Sequence, residues 1–516
     1  MELKPSLLLA LLMVFAQPVK SQTLLEALEN SIKHDPSYRA SQANRKAGEA
    51  ERRIGRASLL PQISASIYEG KAETERRLLN SPNPATDIID YDVSNNAITL
   101  QQPLFNADGR ARFIQGDLIS KQTIAQEAEA LAQLSLRVTT AYMGILSAID
   151  QVRLAESESK ALKERLSLVN ASIVAGEASR TDQAESRAQL DLANARLLEA
   201  KESLSLSLRA LENITGIKSN KVLFPVELDL SQLTPPLPFE KLKSRMMLNS
   251  PSVISALYEI RIAEQEVAKQ NAGHLPRVDF VVRAAQSESD TVTTIGQRND
   301  QTTYALQMQV PIFSGFGIDA SVDKATANLE RANVAWQAQV QENAYKLQES
   351  YSKFNTSQIK INAFKKAVES SQESLKAAEL GQTLGIRTLS DVLEAQRLLF
   401  STQKDLSRVR YETLMSLVEV SSVSGQLNVS RIKEISDLLA VQAEVVVFER
   451  PDLINMQSPN LQQFELLEFD QDEPVTPSAE PDKVLKKEIK EGNEVVYRLE
   501  DKPDLLAPPT VEQIID

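Results

Sequence analysis

The sequence predicts a mainly α chain with a small β part, built as two copies of one unit. Three observations carry that prediction. Pro, Gly and acidic landmarks recur in one order, 208 to 215 residues apart. Two runs of about 60 residues hold almost no Gly or Pro and repeat their apolar positions every seven residues, the period of packed coiled-coil helices. In each copy the apolar period also shortens once to two, the period of a strand. With 16 Gly in 516 residues and 5% aromatics, the chain is too poor in both for an ordinary all-β protein, which spends Gly on turns and aromatics on strands.

Residues 1–21 read as a secretory leader. Lys4 precedes an apolar run over residues 7–16, which is too short to span a bilayer. Val19 and Ser21 supply the small residues for cleavage after Ser21, and Val14 and Ala16 offer a second site after Ala16. No later segment reaches 18 apolar residues, so no transmembrane helix is expected. Residues 22–216 form the first copy, 217–239 a linker and 240–430 the second copy. Asp35-Pro36-Ser37 recurs as Ser250-Pro251-Ser252, and Leu60-Pro61-Gln62 as Leu275-Pro276-Arg277. Gln102-Pro103-Leu104-Phe105 recurs as Val310-Pro311-Ile312-Phe313. Gly176 and Asp182 recur as Gly385 and Asp391, and Thr215-Gly216 as Ser424-Gly425.

Each copy opens with about 24 helical residues before Pro61 or Pro276. Strands are expected at about 62–70 and 96–105, then at 277–285 and 303–313. Tyr304, Leu306, Met308, Val310 and Ile312 alternate there with Thr303, Ala305, Gln307 and Gln309. Long helices follow at about 109–175 and 318–380. Leu134, Ala141, Ala148, Ala155, Leu162 and Val169 step by seven in the first; Val340, Leu347, Phe354, Ile361, Val368 and Leu375 do so in the second. Gly176 and Gly385 turn the chain back into return helices at 177–215 and 386–424. One short helix and one return helix, end to end, match one long helix in length. Residues 431–516 hold 20 acidic and 9 basic residues, most of the chain's net −13, with many Pro. They read as a largely disordered tail.

Strands of about ten residues with one apolar and one polar face fit a membrane barrel, lipid outside and water inside. Four strands cannot close a barrel, and open edges are not tolerated in lipid. The strands must therefore be shared among copies of the chain. Other chemistry is sparse. With no Cys, the chain has no disulfide, thiolate metal site, thiol catalysis or lipid attachment through Cys. His34 and His274 lie near helix ends and read as solvated. Gly315-Phe316-Gly317 reads as a strand-to-helix turn. No catalytic site, metal site or cofactor is expected, and the negative charge disfavours nucleic acid.

The stretch Leu384-Gly385-Ile386-Arg387-Thr388-Leu389-Ser390-Asp391-Val392-Leu393-Glu394-Ala395-Gln396 resembles a characteristic segment of the TolC family of outer-membrane channel proteins. The likeness runs over about residues 23–428, in both copies. It implies a homotrimer whose four strands per chain form one twelve-stranded barrel in outer-membrane lipid, above a helical tunnel across the periplasm. It implies an exit duct for type I protein secretion or drug efflux, working with a periplasmic adaptor and an inner-membrane ABC exporter or proton-driven pump. The missing lipidation Cys favours the secretion-type branch. A periplasmic coiled-coil scaffold or adaptor without a pore is the alternative; its usual single hairpin and Gly-rich β modules fit this chain less well.

The same resemblance implies a gate at the helical turns. Asp391 matches an aspartate that narrows the pore, and Glu394 stands where the family often has a second aspartate. Arg387 matches an arginine that ties the inner coiled coil to its neighbour, with Thr181 and Asp182 as first-copy partners. Gln382 stands where a tyrosine partner for Asp182 is usual, so that tie could only be an amide–carboxylate hydrogen bond. The tips at Gly176 and Gly385 are the expected adaptor contacts. From spacing alone, Asp391 and Glu394 share one helix face. Three copies would place six carboxyls in a ring that attracts cations, and mutual repulsion should raise the pKa of part of it.

Overall fold

The computed structural model describes residues 22–77, 86–218, 221–225, 230, 237–291, 294–440, 443–448, 483–490 and 494–501. The expected leader, residues 1–21, lies outside the described residues, as does most of the expected tail. The chain divides into a unit Met1–Arg450 and a unit Pro451–Asp516.

In the first unit the duplication is plain in the order of elements. Helices α1 (Leu24–His34) and α2 (Pro36–Ala57) lead to strands β1 (Gln62–Arg77) and β2 (Thr86–Phe105), long helix α3 (Ala107–Ala175) and return helix α4 (Arg180–Thr215). After strand β3 (Lys221–Pro225), the second copy gives α5 (Phe239–Asn249), α6 (Pro251–Asn271), β4 (Arg277–Thr291), β5 (Thr294–Gln309), α7 (Gly317–Thr383) and α8 (Leu389–Val423). Helix α9 (Val429–Ala440) and strand β6 (Ala443–Val447) close the unit. The second unit contributes an antiparallel strand pair, β7 (Lys483–Lys490) and β8 (Glu494–Asp501).

Local chemistry explains the repeated landmarks. Asp35 caps α2 by accepting from the Tyr38 N–H at 2.8 Å, and Pro36 sits in the first turn, where its missing N–H costs nothing. In the second copy Ser250 makes no such cap; its hydroxyl and that of Ser252 instead accept from the buried Asn343 amide at 3.1 and 2.8 Å.

Helices α3 and α7 have 69 and 67 residues, so each spans about 100 Å at about 1.5 Å per residue. The seven-residue rows run along their packed side: Leu134, Ala148, Ala155, Leu162 and Val169 are buried in α3, and Leu347, Phe354 and Ile361 in α7. Where α2 lies on α3, helical glycines let the backbones approach. A Cβ on Gly116 would fall 2.5 Å from the Glu51 carbonyl oxygen, and one on Gly55 2.6 Å from that of Arg112.

The four long strands make one antiparallel sheet in the order β1-β2-β4-β5, which leaves β1 and β5 as outer edges. Its register puts Ile63 opposite Leu100, Leu100 opposite Val282 and Val282 opposite Tyr304. The next row is Ser64, Thr99, Arg283 and Thr303. One face is therefore apolar and the other polar. The apolar face is uncovered within the chain: Ile67, Tyr304 and Leu306 are 79%, 71% and 71% exposed. Among the described residues no helix is long and apolar enough to cross a membrane.

Several expected boundaries shift. β1, β2 and β4 run past 70, before 96 and past 285, because backbone pairing continues through polar residues such as Lys71 opposite Asp92. β5 stops at Gln309, short of 313, because Pro311 has no N–H to offer a ladder. The return helices start at 180 and 389, since 177–179 and 386–388 belong to the turns. The linker 217–239 and the tail from 431 also need correction. β3 pairs with β6, and Val222, Phe224, Ile432, Ile435 and Leu439 join Leu24, Leu28, Tyr142 and Leu146 in the main core. Apolar burial therefore holds the body together as far as β6.

Candidate functional site

The two helical turns lie at the ends of α3 and α7 farthest from the sheet. Each turn contains a left-handed glycine. Gly176 has φ +80° and Gly385 has φ +72°, a conformation that costs any residue with a Cβ. The Glu177 N–H then donates to the Ser172 carbonyl at 2.8 Å, and the Ile386 and Arg387 N–H groups to that of Gly381 at 2.9 and 3.1 Å, so the last helical carbonyls are satisfied. Nothing lies within 4 Å of a Cβ placed on either turn glycine, so both tips are open to a partner.

Each return helix begins with the same device. Ser179 and Asp182 form a capping box on α4, and Thr388 and Asp391 form one on α8. The Asp182 carboxylate accepts from the Ser179 N–H at 2.9 Å and hydroxyl at 2.8 Å. The Asp391 carboxylate accepts from the Thr388 N–H and hydroxyl, both at 2.8 Å, and Arg387 stands 3.6 Å away. Thr388, and secondarily Arg387, hold the Asp391 carboxyl below the usual aspartate value. Glu394 is gripped by Arg397 at 3.0 and 2.5 Å, which lowers its pKa in turn. Within one chain both acids thus shift downward; the rise expected from repulsion belongs to the ring of three copies. Donors on the same helix supply what each carboxylate needs.

Within the single chain the residues of the expected ties have other partners. Among the described residues Arg387 makes no hydrogen bond or ion pair with Thr181 or Asp182; it pairs with its own Asp391. Its stem lies over Gly381, where a Cβ would come 2.6 Å from the Arg387 Cγ. Thr181 is exposed in the first turn of α4. Gln382 does not reach Asp182 either. Its amide oxygen accepts from Arg165 Nη1 at 3.0 Å, while Arg165 Nη2 reaches Glu379 at 2.9 Å.

Arg165 and Glu379 were not singled out by the sequence, where a basic residue on a charged helix looks solvated. Yet the Arg165 side chain is only 15% exposed, and it joins α3 to the end of α7. Ser390 adds a bond from α8 to Glu185 on α4 at 3.2 Å. Beneath these polar links, Leu389 and Leu393 pack with Leu162, Val169 and Ala193. The two turns are thereby coupled by one apolar cluster and two polar bridges.

Comparison with known proteins places this geometry. The profile of the family described as "Outer membrane efflux protein" matches residues 27–217 and 242–426, the two copies. Alkaline protease secretion protein AprF of Pseudomonas aeruginosa is 27% identical over 86% of this chain and 91% of its own length. Outer membrane protein TolC of Escherichia coli is 24% identical over 86% of this chain and 90% of its own. Among solved structures, the Campylobacter jejuni CmeC outer membrane channel superposes with a TM-score of 0.68 at 18% identity, covering 81% of this chain and 89% of that one. With both copies matched over most of their length, the chain belongs to the outer membrane efflux protein family, and is an outer-membrane component of export rather than an enzyme.

Proposed function

We propose that three copies of this chain form an exit duct across the periplasm and outer membrane. The observation that carries this reading is the sheet: four strands, two outer edges without partners among the described residues, and an uncovered apolar face, continuous with helices about 100 Å long. Lipid would cover the apolar face, and neighbouring copies would pair the edges into twelve strands. The duct would receive cargo from an inner-membrane ABC exporter or proton-driven pump through a periplasmic adaptor seated at the Gly176 and Gly385 tips. Its cargo would be exported protein, small toxic compounds, or both. The protease-secretion names among its relatives, AprF and PrtF of Dickeya chrysanthemi, favour protein.

The closed entrance would rest on the turns. Asp391 and Glu394 would form the acidic ring, with Arg387, Thr181, Asp182 and Gln382 around it. Purified protein reconstituted in planar bilayers is expected to give stable, cation-selective channels. A water-soluble protein that never conducts would sink the duct in favour of a scaffold. Arg387→Ala is expected to raise resting conductance; no change would remove Arg387 from the gate.

A further inference from the structure

Gln22 is the first described residue, and it is buried, with 6% of its surface exposed. Its N–H donates to the Lys221 carbonyl at 3.1 Å, and its own carbonyl accepts from the Tyr142 hydroxyl at 3.1 Å. A bridge to Val222 holds it beside β3. The capping box of Thr23 and Glu26 fixes the start of α1 immediately after it. Its side-chain amide is the misfit: Oε1 and Nε2 are both buried with no hydrogen-bond partner. Buried polar atoms left unpaired are costly and rare.

Cleavage after Ser21 would add a second misfit. The Gln22 nitrogen would become an α-ammonium, a charge with three protons at a buried place where its acceptor is one carbonyl. Burying such a charge is far costlier than burying an amide.

We propose that the mature chain begins with pyroglutamate at position 22. The neutral α-amine attacks the Cδ of its own side chain. The N–Cδ bond forms, the Cδ–Nε2 bond breaks, and Nε2 leaves as ammonia with the proton that the α-nitrogen gives up. No electrons are transferred and no cofactor is consumed. The ring nitrogen keeps one N–H, enough for the bond to Lys221. The charge is never buried, and the unpaired Nε2 donor is gone. This modification goes beyond the duct reading and depends only on export with cleavage after Ser21.

The test is N-terminal mapping of the protein extracted in detergent from the outer membrane. The expected first peptide starts at residue 22, is lighter than the unmodified peptide by one ammonia, resists Edman degradation, and is opened by pyroglutamyl aminopeptidase after unfolding. A synthetic peptide of residues 22–33, carried through the same digestion, measures ring closure during handling. A protein no more cyclised than that peptide overturns the proposal. So does a free amine on Gln22, which would point to an ammonium held near the Glu26 carboxylate, or a mature chain that starts at Gln17. None of these outcomes depends on whether the protein conducts.

Discussion

Arg165 and Asp391 show how differently two residues of one site can be read. Asp391 lies three residues after Thr388 at a helix start, and Asp182 three after Ser179. The sequence puts Asp391 in the first turn of a return helix, where the helix dipole favours an acid, but the capping boxes with Thr388 and Ser179 emerge only from the structure. Arg165 gives no such signal, because its partners Glu379 and Gln382 are more than 200 residues away. Its placement predicts that Arg165→Ala, which leaves the Gln382 oxygen without its donor, will raise the resting conductance of reconstituted channels; unchanged conductance would show that the bridge does not hold the turns. The proposed acidic ring makes a second prediction, from the lowered pKa values of Asp391 and Glu394. A group with a depressed folded pKa keeps its charge until the pH falls through that lower value, while its contribution to folding, full above the unfolded pKa, is lost progressively between the two. Cation selectivity, measured as a reversal potential, should therefore persist on acidification through the ordinary carboxylate range near about 4. Loss of selectivity above that range would mean that neighbouring copies raise these pKa values after all.

Helices α2 and α3 meet through glycine, and this yields a paired test. Gly→Ala inside a helix ordinarily stabilises by about 1 kcal/mol. At Gly144, where a Cβ would meet nothing within 4 Å, that gain should appear in thermal unfolding. At Gly116 the added carbon would lie 2.5 Å from a backbone oxygen, so the helices must part, and overpacking of this kind costs about 1–3 kcal/mol. A stabilising Gly116→Ala would show that the contact yields easily. The long helices could be read from the sequence because Leu134 to Val169 repeat a strict period over many turns. The far reaches of the strands could not, because Lys71 and Asp92 pair through the backbone without any apolar alternation. β3, α9 and β6 were missed because each is too short for a periodic signal; only the fold reveals that Val222 and Ile432 share one core.

The chain divides into a unit Met1–Arg450 and a unit Pro451–Asp516. Among the described residues the buried core lies in the unit Met1–Arg450. Truncation after Arg450 is therefore expected to leave trimer stability on denaturing gels and channel conductance intact; a truncated protein that falls to monomers would give the acidic segment a structural role. The sequence revealed that four strands are too few to close, but the order β1-β2-β4-β5, which sets β1 and β5 at the rims, emerges only from the fold. Those rims have a kinetic consequence. A lone chain would enter lipid with two rows of unsatisfied backbone groups, which the bilayer does not accommodate. In the proposed trimer, insertion must therefore wait for partners. The appearance of heat-resistant trimer should accelerate with chain concentration more steeply than a first-order process allows.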